Sequence, residues 1–392
     1  MLLDKTIKYI TSTDKNILKA RGQYFTPNTL KDYLFKSLPK TLLTTPNLKV
    51  CEPSFGSGEF LSSIYQHLNE PYVEGFEIDN NLFSLCDGLY DNCLLVHGNT
   101  LAYERSSKYD IIVGNPPYFK YVPTNKERLI YSDVISGRVN IYQLFIKWCL
   151  DSAKPGGYVA LILPTSMNTG SYFKALRTYI LKTAQVIKVK LFSESDFVYA
   201  NQKVQCLILR KKINTGSRVN KKHIINLSTG VVFVENTKDF GIFKEGKSLK
   251  DLGYKVCTGT VVWNTKKEHL SNDPADTLLV WAHNIKGGSL ELSARRPQYI
   301  KSDTSNFGTG IVVNRIIGVS NKAKLNVAIV EGKWVAENHV NVILPIEGLQ
   351  QVITMEEIVS SLLSSRVQSI IKLISGNTQL SKTELECCIP II

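Results

Sequence analysis

Seven short apolar runs recur through the first half of the chain, at Leu48–Cys51, Tyr72–Glu77, Cys93–Val96, Asp110–Val113, Tyr158–Leu163, Val186–Leu191 and Val204–Leu209. Their length and their content of Val, Ile, Leu and Tyr predict β-strands. Between them the apolar period lengthens. Leu61, Ile64, Tyr65 and Leu68 repeat at helical spacing, Ile141–Leu150 reads as an amphipathic helix that stops before Lys154-Pro155-Gly156-Gly157, and Tyr172–Leu181 reads as a further helix. Strands and helices alternating in this way build a largely parallel sheet with helices on both faces. Such sheets hold ligands beyond the carboxyl ends of their strands, where the turn Gly56-Ser57-Gly58, Glu77, Asn99 and Asn115 all fall.

After about Lys212 the pattern changes to short strands broken by polar turns, with Asn214-Thr215-Gly216-Ser217 and the basic Lys221-Lys222-His223 as a connecting segment. The expected organisation is an α/β domain over residues 1–212 and a second domain over residues 213–392. A chain of 392 residues is long enough to bury a core in each.

Composition adds a partner. A net charge of +13 and a sequence pI near 9.2 favour a polyanion, because a basic surface gains affinity by releasing counterions from nucleic acid. The 43% hydrophobic and 21% charged content is that of a soluble protein, and no window reaches the roughly 18 apolar residues of a membrane span. Met1–Thr6 lacks the pattern of a secretory signal, so a cytoplasmic protein without a membrane partner is expected. The eight cysteines include no C-x-x-C pair and read as free thiols, and no metal is expected.

The chemistry concentrates in Asn115-Pro116-Pro117-Tyr118, directly after the run Tyr109–Gly114. The Asn115 side-chain carbonyl and the Pro116 carbonyl can both accept from one exocyclic NH2 group, and Pro has no N–H to compete. Taking both protons biases that nitrogen toward tetrahedral geometry and frees its lone pair, while Tyr118 offers a face for a nucleobase. The plainer alternative is a strand that ends in a proline turn. The Gly56-Ser57-Gly58 turn lets backbone approach a ligand, yet Glu52 at the strand tip repels phosphate and suits an ammonium group, as in S-adenosylmethionine. Glu77, ending the next strand, is placed to take two ribose hydroxyls, with Asp79 as its competitor and a solvated strand-end carboxylate as the plainer alternative. Gly22-Gln23-Tyr24-Phe25-Thr26-Pro27 reads as a turn into a helix, with Thr26 as N-cap or, alternatively, as a contact to a ligand carboxylate.

In chain order, the Phe25-Thr26-Pro27 segment, the loop Glu52–Leu61, Gly75–Asp79 and Gly114–Tyr118, followed by a separate carboxyl-terminal region, resemble the gamma class of N6-adenine DNA methyltransferases, of the TaqI type. The resemblance implies a Rossmann-like S-adenosylmethionine-dependent domain with a mostly parallel seven-stranded sheet, plus a carboxyl-terminal α+β target-recognition domain. It implies that Thr26, Glu52, Pro53, Phe55, Gly56 and Gly58 line the cofactor pocket, that Glu77 binds ribose, that Ile78 packs on the cofactor adenine, and that Asn115 borders cofactor and target. Asn99 stands where the family often has an acidic residue and retains one acceptor. Asn115, Pro116, Pro117 and Tyr118 would hold the target adenine, with Tyr199 as a second aromatic and Phe197 as its alternative. Lys120 and Arg138, in the segment after the catalytic tetrapeptide, and Arg295, Arg296 and Arg315, with Lys322 and Lys324 beside them, are candidate phosphate or base contacts, with ordinary solvated charges as the plainer alternative. The implied partners are double-stranded DNA and a cognate restriction endonuclease, with the enzyme acting as a monomer. The remaining alternatives are methylation of RNA or of a protein glutamine, and a catalytically idle DNA-binding homologue.

Overall fold

The structure is a computed structural model, described for residues 2–192, 203–214, 221–227, 230–237, 241–293, 295–302, 305–318, 324–374 and 379–392. Each of the seven apolar runs is a strand: β1 (Lys49–Glu52), β2 (Tyr72–Glu77), β3 (Cys93–His97), β4 (Tyr109–Gly114), β5 (Ala153–Pro164), β6 (Ala184–Leu191) and β7 (Val204–Lys211). They form one sheet in the order β3-β2-β1-β4-β5-β7-β6. The first five are parallel, and β7 runs antiparallel to both β5 and β6. This is the Rossmann-like methyltransferase sheet, with the strand order reversing between β1 and β4. There Val50 and Cys51 pair with Ile111 and Ile112, all four fully buried. A reversal of this kind leaves a crevice at the strands' carboxyl ends, because the connections leave in opposite directions. Gly114 closes its floor. A Cβ there would lie 3.4 Å from Pro53 Cδ and 3.6 Å from Glu52 Cγ.

The longer helices of this unit are α1 (Asp4–Ser12), α2 (Asn28–Lys36), α3 (Glu59–His67), α4 (Tyr142–Ser152) and α5 (Lys174–Thr183). Helix α4 departs from the amphipathic expectation, since every residue from Tyr142 to Leu150 is buried. The segment between β4 and α4 packs on it: Gln143 Nε2 donates to Val134 O (2.9 Å), and Lys147 Nζ pairs with Asp133 (3.0 Å) and Asp151 (3.3 Å). Both faces of the helix are thus covered, and its one lysine remains tolerable because it is paired.

The chain divides into two compact units, Met1–Ile225 with Val231–Thr237, and Asn226–Gly230 with Lys238–Ile392. The first unit therefore extends beyond the expected boundary at residue 212. The reason is that the strand Gly230–Phe233 and its flank pack back on it: Arg177 Nε donates to Val231 O (2.6 Å), and Lys190 Nζ pairs with Glu235 (2.7 Å). The second unit has an antiparallel four-stranded sheet of Tyr254–Thr258, Val340–Pro345, Gly310–Asn314 and Val327–Val330. A five-stranded sheet built around Thr277–Val280 and Lys333–Ala336, and the helices Met355–Leu363 and Ser365–Ile374, make it α+β. Among the described residues no helix is long and apolar enough to cross a membrane.

Candidate active site

A cavity of about 750 Å³ opens at the carboxyl ends of β1, β2 and β4, lined by Gly22–Thr26, Glu52–Ser57, Glu77–Asp79, Asn99, Asn115 and Pro117, with Phe119, Tyr121 and Phe145 along its wall. Segments far apart in sequence meet here because each follows a strand or enters a helix at the same edge. Gly56 and Gly58 adopt φ of +56° and +84°. At Gly58 a Cβ would stand 2.7 Å from Cys86 Sγ, so that position disfavours any side chain.

The acidic groups at the strand tips are kept ready for a cationic, hydroxylated ligand. Glu52 is 1% exposed and its Oε2 has no hydrogen-bond partner among the described residues. Burial holds its carboxyl well above the usual carboxylate range, Lys31 opposes that rise, and Glu77 and Glu59 reinforce it. A buried acceptor without a donor is costly, and an ammonium group placed in the cavity would satisfy it. Glu77 accepts from Gly56 N and from Asp79 N (2.8 Å each), one at each oxygen. Each oxygen keeps a lone pair for a diol. Burial raises the Glu77 carboxyl, and these backbone donors temper the rise. Asp79 is not free for that role: Arg21 and Gln23 hold its Oδ2, and its Oδ1 caps the turn at Asn81. Ile78, 67% exposed, presents an apolar side chain to the cavity. Asn99 Oδ1 accepts from Leu101 N (3.1 Å) and keeps one lone pair. Phe55 is buried behind the loop, its N–H bonded to Phe76 O (3.0 Å). These residues fit S-adenosylmethionine, the cofactor of this fold.

Thr26 does not cap a helix. Helix α2 begins at Asn28 without a side-chain cap, and the buried Thr26 hydroxyl instead accepts from Asn115 Nδ2 (3.0 Å). The second Asn115 Nδ2 proton goes to Tyr24 O (3.0 Å). Both amide donors are thereby committed, which leaves Oδ1 as the acceptor end of the side chain. In this arrangement the single Tyr118 hydroxyl proton is shared between two acceptors, Asn115 Oδ1 and Ile162 O (2.7 Å). The Tyr118 ring does not offer the open face expected of it: it is 6% exposed, stacked on Tyr24 at 5.7 Å and 24°, and met edge-on by Tyr142 at 6.1 Å. The physical cause is the Tyr24 ring, which covers one face of Tyr118. Pro116 is buried and Pro117 half-buried beside it. Tyr199 and its alternative Phe197 lie outside the described residues.

Several pocket residues escaped the sequence reading. Tyr24 has no role in the sequence pattern, although an aromatic next to Phe25-Thr26-Pro27 is a usable signal. Lys31 sits on the apolar face of α2 beside Leu30, Leu34 and Phe35, a charged residue on a buried stripe. It forms a buried ion pair with Glu59, whose Oε1 also accepts from Leu3 N (2.8 Å). Thr6 and Ser57 share a buried hydrogen bond of 2.6 Å, so the amino-terminal helix braces the glycine loop. Phe145, Phe119 and Tyr121 carry no local signature. The Tyr121 hydroxyl is held by both oxygens of Glu127, at 2.8 and 3.0 Å.

Of the expected DNA contacts, Lys120 and Arg138 are exposed on the first unit, and Arg295 and Arg296 on the second. Arg315 is different: it is half-buried, its Nη1 donates to Asn338 O (3.0 Å), and it braces the second unit's own backbone. Lys322 lies outside the described residues, whereas Lys324 is exposed.

Residues 61–198 match the Eco57I restriction-modification methylase family, in agreement with the gamma-class resemblance. The chain is 25% identical over 318 residues to the modification methylase CviBIII of Paramecium bursaria Chlorella virus NC1A, covering 79% of this chain and 78% of that protein. It is 22% identical over 435 residues to the Type II methyltransferase M.BsuBI of Bacillus subtilis, covering 93% and 86%. Among solved structures it is similar to the type I restriction-modification methyltransferase subunit of Streptococcus thermophilus, with 16% identity, a TM-score of 0.43, and 57% and 53% of the two chains covered.

Proposed function

From the premise that this chain carries a restriction-modification methylase domain, we propose that the protein, an S-adenosylmethionine-dependent DNA methyltransferase, methylates the exocyclic N6 amino group of an adenine rotated out of duplex DNA. The observation that carries this reading is the Asn115 amide, whose two N–H groups are spent on Tyr24 O and Thr26 Oγ1, leaving a carbonyl as its only working end. An amide fixed in that sense accepts from a target amine and does not donate to a ring nitrogen.

When bound, S-adenosylmethionine supplies an electrophilic methyl group. Glu52 would bind its ammonium group and Glu77 its ribose, with Ile78 and Asn99 at its adenine. Asn115 Oδ1 and the Pro116 carbonyl would accept the two protons of the target amino group, concentrating electron density on the nitrogen, and catalysis then rests on positioning. An adenine inside a duplex cannot reach these acceptors, so it must leave the stack, at a cost of a few kcal/mol that stacking and pocket hydrogen bonds offset. Its entry requires the Tyr118 hydroxyl to release Asn115 Oδ1 and the Tyr24 ring to release Tyr118. Lys120 and Arg138 would hold the DNA backbone near this site. A restriction endonuclease that recognises the same sequence would be the partner of such an enzyme.

The test is to incubate the protein with methyl-labelled S-adenosylmethionine and unmethylated genomic DNA, then digest the DNA to nucleosides. Label on N6-methyldeoxyadenosine is the expected result. Label on N4-methyldeoxycytidine would overturn the adenine assignment. Label confined to RNA or to a protein glutamine would move the activity to another substrate, and cofactor binding without transfer to any of them would leave a DNA-binding homologue.

A further inference from the structure

In the second unit, Trp263 and Trp281 stand 6.3 Å apart with their rings inclined at 59°. The Arg296 guanidinium lies in the angle between them, 4.8 Å from each ring centroid. The floor is rigid. Trp281 is 1% exposed and its Nε1 donates to Pro297 O (2.9 Å). Buried Asn284 accepts from Trp281 N (3.0 Å) and donates to Gln298 Oε1 (3.0 Å), while Gln298 Nε2 donates to Arg296 O (2.7 Å). One buried polar network therefore fixes both the indole and the backbone that carries the arginine.

Stacking engages the flat faces of a guanidinium and leaves its N–H donors directed outward in the plane. Arg296 is exposed, and among the described residues its side chain has no hydrogen bond and no ion pair. An arginine held this firmly with no internal acceptor is built for an external one. Its surroundings select the class of that acceptor. Arg295, Lys286 and Lys267 are exposed nearby. Burial, together with the charges of Arg296, Lys286 and Arg295, pushes the His283 imidazole below its ordinary value against the pull of Glu337. The face is positive and favours a polyanion. The flexible cations suit phosphates, for which charge suffices. A pinned, planar fork suits a pair of acceptors in one plane at fixed spacing, which guanine presents in the major groove as O6 and N7.

We propose that Arg296, stacked between Trp263 and Trp281, reads a guanine of the target sequence through its major-groove edge and so determines part of the specificity of this methyltransferase. This rests on the reading of the protein as a DNA methyltransferase.

The methylated sequence is first mapped on genomic DNA, and kcat/KM is then measured on duplexes in which each guanine of the site is replaced singly by 7-deazaguanine, which lacks N7. For the wild type, one position should cost about tenfold to a hundredfold. R296A should lose that sensitivity at the same position and keep discrimination elsewhere. R296K should not restore it, because an ammonium cannot make the planar fork, and R295A and K286A should weaken all duplexes alike. Uniform loss in R296A across every duplex would make Arg296 a phosphate contact and overturn the proposal. So would unchanged discrimination, or a recognised site without guanine. A wild type that labels no DNA at all would instead defeat the underlying reading, and the proposal with it.

Discussion

The two units handle polar side chains in opposite ways. Around Asn115 the polar atoms are committed internally: the amide to Tyr24 and Thr26, Tyr118 to Asn115 and Ile162, and Glu77 to Gly56 and Asp79. Around Arg296 the network is equally ordered beneath the surface, but among the described residues the guanidinium itself has no hydrogen-bond or ion-pair partner. A site that performs one reaction on every substrate gains from acceptors already aimed. A surface that selects among sequences must leave its donors for the sequence to satisfy. Within the cavity on the catalytic side, Glu52 departs from this pattern: its buried Oε2 has no hydrogen-bond partner among the described residues, and an ammonium ligand would supply one.

The largest effect should come from Asn115→Ala. Turnover should fall about a thousandfold, the scale of removing a preorganised polar group from an active site, on every DNA sequence alike, while calorimetric cofactor binding stays within a few-fold. Near-normal turnover would break the assignment of Asn115 as the acceptor of the target amine. The contrast with Arg296 is direct, since loss at Asn115 should be blind to sequence and loss at Arg296 should not.

Glu52→Gln should weaken S-adenosylmethionine binding about tenfold to a hundredfold, the value of one charge-assisted contact, and should raise Tm. The two signs follow from one cause. Burial raises the folded-state pKa of Glu52 above its unfolded value, so the native state holds the extra proton, and stability falls as pH rises from the unfolded value through the folded one. An ammonium ligand favours the ionised carboxylate and lowers its pKa in the complex. Cofactor affinity should therefore rise with pH through the free protein's Glu52 titration and level off above it, and the Gln variant should lose that part of the slope. A Gln variant that keeps wild-type affinity and pH dependence would remove Glu52 from the cofactor site.

The smallest effect should be that of Tyr118→Phe. It removes the hydroxyl from Asn115 Oδ1 and leaves Ile162 O without that donor, at a cost of about 1 kcal/mol in stability. Because the ring remains and the acceptor is released, kcat should stay within about threefold of wild type. A loss as deep as that of Asn115→Ala, measured side by side, would give the hydroxyl a chemical role and blur the division between committed and working atoms.

All seven strands of the first sheet were readable in the sequence, because the central strands are buried and apolar along their length and the edge strands β3 and β6 keep short runs of Leu, Val and Ile despite their partial exposure. The tips of those strands also marked Glu52, Glu77, Asn99 and Asn115, since the motifs lie where each strand ends. The all-round burial of α4 was not readable, because its outer cover comes from residues 119–140, whose placement depends on tertiary packing. Nor was the unit boundary, which a strand near residue 231 shifts by packing back across it.

By itself, the sequence determined the catalytic framework of this protein: the order of strands and loops, the carboxylates at their tips and the tetrapeptide at Asn115. These properties are local, set by side-chain period, by proline and glycine geometry and by chain order. Tertiary structure alone decided what those groups touch. It turned Thr26 from a helix cap into an acceptor for Asn115, placed Tyr24 over Tyr118, put Lys31 against Glu59, and assembled Trp263, Trp281 and Arg296 from three separate segments. Hydrogen bonds and ring contacts act over a few ångströms, and no spacing along a chain reveals which distant residues folding will bring within that reach.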